Sequence, residues 1–146
     1  MEIIYKHTQI GYLIIVILFI LTVFFGIMST QPEVDLSANL IMLLILCILA
    51  SFSFLEVVID NDYLRIKFGF GIFKKKFTLS EIDSVKIVKN RWYYGWGIRI
   101  WFWPFMRIYN VSGFDAVEIV MKDKKIYRIG TDAPEALEEV IRQSIK

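Results

Sequence analysis

Two long uncharged stretches near the N-terminus constrain this chain more than any other feature. Thr8 to Pro32 is 25 residues without Asp, Glu, Lys or Arg, and Leu36 to Leu55 is a further 20. Between Lys6 and Glu56 only Glu33 and Asp35 carry charge. A helix rises about 1.5 Å per residue and a bilayer's hydrocarbon core is about 30 Å thick, so roughly 20 residues cross it. The stretches therefore predict a transmembrane hairpin over residues 1–55, with spans at about 9–28 and 38–55 and a second domain over residues 56–146. The connecting loop has no Lys or Arg, whereas Lys6 precedes the first span and Arg65, Lys67 and Lys74-Lys75-Lys76 follow the second. By the positive-inside rule this predicts a multi-pass protein of the inner (cytoplasmic) membrane with both termini in the cytoplasm. Neither span contains an ionisable group of the kind ion pathways use, so the hairpin reads as an anchor in the lipid bilayer. An accessory transporter subunit is the least favoured reading.

Residues 56–146 carry 16 Lys and Arg against 12 Asp and Glu; the segment before them carries 1 against 3. A surplus this mild can draw a domain to anionic lipid but does not point to nucleic acid. Cys47 is the sole cysteine, so no intrachain disulfide can form, and His7 is the sole histidine. With no cluster of metal-ligand spacing and no nucleophile beside a base, the sequence offers no catalytic, cofactor-binding or metal-ligating residues. The expectation is a protein that is not an enzyme.

Strand patterns fill the second domain. Leu55 to Ile59 is a strand, Asp60-Asn61-Asp62 a turn, and Tyr63 to Phe68 alternates with Leu64, Ile66 and Phe68 on one face. Further strands are expected at 73–79, 82–89, 97–103, 106–111, 116–122 and 125–129, seven or eight in all. Asp132-Ala133-Pro134-Glu135 reads as a capping box. The helix it opens, 133–145, has Leu137, Val140, Ile141, Ser144 and Ile145 on one stripe.

This order of elements, with the runs Tyr94-Gly95-Trp96-Gly97-Ile98-Arg99, Tyr109-Asn110-Val111-Ser112-Gly113 and Ile129-Gly130-Thr131-Asp132 followed by Pro134 and Leu137, resembles bacterial pleckstrin-homology-like (PH-like) membrane proteins with two N-terminal transmembrane helices. Ala133 departs from that pattern, where Asp is expected. The resemblance implies an α+β membrane protein. In it, a two-helix transmembrane hairpin precedes a PH-like antiparallel β-barrel or sandwich of about seven strands, capped by a C-terminal helix. No chemistry attaches to its motifs.

The stretch Arg91 to Tyr109 interleaves Arg91, Arg99 and Arg107 with all four tryptophans. On a strand, Arg99, Trp101 and Trp103 share one face and Ile98, Ile100 and Phe102 the other. One face can fill the core while the other is left free, so Trp96, Arg99, Trp101, Trp103 and Arg107 are the expected interface for a protein partner or for self-association; the alternative is that these aromatics fill a small core with the arginines stacked over them. Lys74, Lys75 and Lys76, placed where two strands connect, are expected to contact anionic lipid headgroups if any residues do. The leading function is a membrane-anchored, non-catalytic binding or scaffold module for a protein partner. The alternative is peripheral sensing of anionic lipid.

Overall fold

The computed structural model describes residues 2–146. Its first element is a strand, β1 (Ile3–Ile10). The helices α1 (Tyr12–Met28) and α2 (Leu36–Ala50) follow, then β2 (Phe54–Asp60), β3 (Tyr63–Phe68) and β4 (Phe73–Thr78). These four strands form one antiparallel sheet in the order β1-β2-β3-β4. Alternation explains β2 and β3: Leu55, Val57, Ile59, Leu64, Ile66 and Phe68 are all buried. Asp60 closes the turn between them, its Oδ1 accepting from the Asp62 and Tyr63 amides at 2.9 and 2.8 Å.

The expected transmembrane hairpin is not what the apolar stretches build. Each stretch is shared between a helix and a strand. Thr8, Gln9 and Ile10 pair with Glu56, Leu55 and Phe54 across the β1–β2 ladder. The second helix stops at Ser51, whose hydroxyl donates to the Cys47 carbonyl at 2.9 Å. What is left is 17 residues in α1 and 15 in α2, about 26 and 23 Å of helix against a core of about 30 Å. No helix among the described residues is long and apolar enough to cross a membrane. The two-span hairpin and the multi-pass inner-membrane placement are corrected accordingly. α1 and α2 pack on each other and bury none of their residues. At their base Gly11, which precedes α1, donates its N–H to Ser53 O between α2 and β2 (2.7 Å), and Gly69, after β3, comes up against Ser51 at the end of α2. Gly69 has φ +47°, and a Cβ there would stand 2.5 Å from the Ser51 carbonyl oxygen, so this approach requires glycine.

The second sheet contains β5 (Ile82–Lys89), β6 (Gly97–Phe102), β7 (Phe105–Asn110), β8 (Asp115–Met121) and β9 (Ile126–Gly130) in the order β5-β8-β9-β7-β6. All its pairings are antiparallel except β7 with β9. The architecture is therefore α+β with two separate sheets of four and five strands, not a PH-like barrel of about seven behind a membrane hairpin. The extra strand is β1. Its residues are a plain run-in to a helix until the edge of β2 recruits them.

The inner faces of the two sheets meet in one core that joins Leu55, Ile59, Leu64 and Phe77 to Val117, Ile119, Tyr127 and Ile129. α3 (Pro134–Ser144) lies against β5, β8 and β1, burying Leu137 and Ile141. The expected capping box does not form. Ala133 is the N-cap, Thr131 Oγ1 accepts from the Ala133 amide at 3.1 Å, and the Asp132 carboxylate instead bonds His7 on β1. A strand that the sequence did not show supplies the donor that takes the capping side chain away.

Candidate functional site

β6 and β7 form a hairpin at the edge of the second sheet, and its tip gathers three exposed aromatic residues, among them Trp103, the most exposed large hydrophobic side chain among the described residues. Phe102, Trp103 and Phe105 are 75%, 90% and 54% exposed. The turn is held from below: the Trp101 indole N–H donates to the Trp103 carbonyl at 2.9 Å. Trp101 packs in turn on Tyr94 and Tyr93, with ring centroids 4.8 and 5.5 Å apart. Tyr94 and Trp101, together with Met106, Ile108 and Ile126, make a small second core on the outer face of the sheet.

This packing decides which face of β6 is covered. The Arg99–Trp101 face carries the small core. Ile98, Ile100 and Phe102, on the opposite face, are 38%, 49% and 75% exposed. They lie on the same side as Arg107 and Tyr109 of β7, across from the first sheet. The first sheet does not extend far enough to cover them. Alternation in one strand gives two faces but not which face finds a neighbour.

The expected interface residues are consequently spread out. Trp96 sits at the start of β6 beside Phe114, ring centroids 6.5 Å apart, with its indole nitrogen buried and unpartnered among the described residues. Arg99 folds back to donate to the Trp96 carbonyl at 3.1 Å. Trp103 stands just past the far end of the strand, roughly 13 Å from Arg99 at the usual rise. Arg107 is on the opposite face from Arg99 and hydrogen-bonds the Tyr109 hydroxyl. Burial pushes that hydroxyl above its ordinary pKa, against the pull of Arg107. Phe102, Phe105, Ile98 and Ile100 were not among the expected contact residues. A non-polar tip flanking Pro104 was the one signal that could have found the first two.

The lysine triplet is likewise divided. It lies inside β4 rather than in a loop, so its residues alternate. Lys76 stands 4.1 Å over the Tyr63 ring on the outer face. Lys75 points inward, 5.8 Å from the rings of both Phe77 and Tyr127. Lys74 pairs across the ladder with Lys67. On the outer face of the first sheet, by contrast, carboxylates are supplied: Glu56 takes Lys67 at 2.9 Å and Lys6 at 3.0 Å. Those two hydrogen bonds hold Glu56 below the usual carboxylate range.

Among the described residues no group of His, Cys, Asp and Glu could hold a metal ion. His7 is engaged by Asp132, and Cys47 lies on α2. The site has aromatic surface and guanidinium groups but no paired acid and base, which suits recognition better than bond-making. No family model matches this chain, and neither a curated protein nor a solved structure is significantly similar to it, so the resemblance to PH-like membrane proteins gains no support.

Proposed function

We propose that this chain is a non-catalytic binding module that holds a protein partner through the β6–β7 hairpin. One observation carries this reading: three large aromatic side chains are held out into solvent on a turn that Trp101 braces from beneath. Exposed apolar clusters of this kind mark interaction sites, and braced aromatics lose little freedom when a partner covers them. A photo-crosslinking phenylalanine derivative in place of Trp103, in cells making the full chain, tests it. The expected result is an adduct with one protein species that disappears when Phe105 is also changed to Ala. An absence of any protein adduct at this position sinks the reading.

A second reading, contact with an anionic lipid surface, is favoured by the turn between β3 and β4. There Phe70 and Ile72 are exposed beside Lys67 and Lys74, at the base of the uncovered apolar helices. Apolar residues flanked by lysines suit a headgroup layer, each lysine adding about 1 kcal/mol near an anionic surface. The same crosslinker at Phe70 would then capture lipid, and salt would weaken flotation of the full chain with anionic vesicles.

A further inference from the structure

The two sheets do not close on each other at every side. β4 is one edge of the first sheet and β6 one edge of the second. Between them runs an open cleft of about 220 Å³ whose walls include Phe73 and Lys75 of β4, Ile98 of β6 and Tyr109 of β7. A second hollow shares Lys75 with it and is lined by Arg107 and Phe105. No Asp or Glu lines either part. This contrasts with the outer face of the first sheet, where Glu56 neutralises the cations.

We propose that the cleft accepts an extended acidic segment of the protein partner, which adds to the second sheet as a strand beside β6. The proposal rests on the protein-binding reading and names the form and charge of what is bound. An edge strand offers a row of unpaired backbone donors and acceptors, and an extended peptide satisfies them. Side chains of the guest at alternate positions cover Ile98 and Ile100, which the fold leaves half exposed. Its carboxylates meet Lys75 and Arg107 within the cleft and Arg99 on the other face of β6. β4 is the poorer template, because Lys75 interrupts its inner face and Phe77 is already buried, which leaves little apolar surface for a guest to cover. A second copy of the chain fits less well than an acidic guest. Two β6 edges side by side would bring Arg99 and Arg107 of each copy together.

The test is a titration of the full chain, in non-ionic detergent, with a fluorescent synthetic peptide about ten residues long built on a Val-Val-Glu-Glu repeat, which places both residue types on each face of a strand. Saturable binding is expected, with new protection of the β6 amides in hydrogen exchange. Binding should fall at least about tenfold for a Lys–Val peptide, the same repeat with Lys in place of Glu, and for the Lys75→Glu and Arg107→Glu variants, each checked for an unchanged circular dichroism spectrum. No binding, equal binding of the Lys–Val peptide, protection at β4 instead, or a dimer with β6 already protected would each overturn the proposal. Loss of peptide binding while Trp103 still crosslinks one protein would remove only the cleft. Peptide binding without a Trp103 adduct would instead remove the tip as the partner's contact.

Discussion

β4 and β6 are both edge strands and face each other across the same cleft, yet they are built on opposite plans. β4 reads Phe-Lys-Lys-Lys-Phe-Thr, which puts an ammonium on each face in turn. One lysine covers Tyr63 outside and one covers Phe77 and Tyr127 inside. β6 reads Gly-Ile-Arg-Ile-Trp-Phe, with a clean apolar inner face and a single cation. Charged side chains along an edge oppose the approach of another strand, and their absence invites it. The comparison teaches that the opening between the sheets is one-sided: one wall supplies cations and the other an apolar template for a strand.

The largest expected effect contrasts the closed part of the interface between the sheets with the open part. Ile119 of β8 is fully buried in the core, whereas Ile100 on the inner face of β6 is half exposed. Ile119→Ala should cost about 2–5 kcal/mol, the range for a buried aliphatic truncation. Ile100→Ala should stay within about 0.5 kcal/mol, as a surface change does. Urea unfolding of the two variants measures both. A comparable loss at Ile100 would mean that β6 is covered after all, and the contrast between the two edges would collapse.

A smaller effect separates cations that have carboxylate partners from those that do not. Asp60, on the turn after β2, has its pKa lowered, first by the Asp62 amide and then, against the opposing effect of burial, by the Tyr63 amide and Arg65. Glu56 is lowered by Lys67 and Lys6. A carboxylate with a depressed folded-state pKa contributes stability above its unfolded value, and that contribution is lost as pH falls through the folded one. Stability should therefore be flat from neutral pH down to about 5 and decline below about pH 4. Asp60→Asn should shrink that decline. Lys75→Met in the cleft, where no carboxylate lies, should leave it unchanged. Urea midpoints across a pH series decide the matter, and an equal change in both variants would contradict the assignment of partners.

How much of this could be read in the sequence follows the range of the forces involved. β3 and β5 fall where alternation and flanking turn residues place them, because Asp60-Asn61-Asp62 and Gly69 punctuate the chain locally. β1 was not legible. Nothing within Ile3–Ile10 demands a strand, and only the β2 edge, more than 40 residues on, makes it one. That single pairing shortens the first helix and draws Asp132 from its capping role to His7. The candidate site was legible as a composition, aromatic and arginine-rich, but not as a surface. Which face of β6 is covered depends on how far a different sheet extends, and Lys74, Lys75 and Lys76 divide between faces only once they are in a strand.

The finest test lies within β4 itself and asks whether its inner lysine is already spent on the fold. Lys76 stands 4.1 Å from the Tyr63 ring centroid, close enough for a cation–π attraction of about 0.5–1 kcal/mol. Lys75 is 5.8 Å from each of its two rings, near the outer limit at which such attraction counts. Lys76→Met should therefore lose roughly that amount of stability. Lys75→Met should be neutral or slightly stabilising, since a thioether can lie on the Phe77 and Tyr127 rings in place of the ammonium. Urea unfolding of the two variants side by side resolves the order. If Lys75→Met proves the more costly, the inner ammonium is committed to the aromatic rings and is not held ready for a guest carboxylate. The cleft would then lose the cation at its centre, and the difference between the two edges would reduce to apolar area alone.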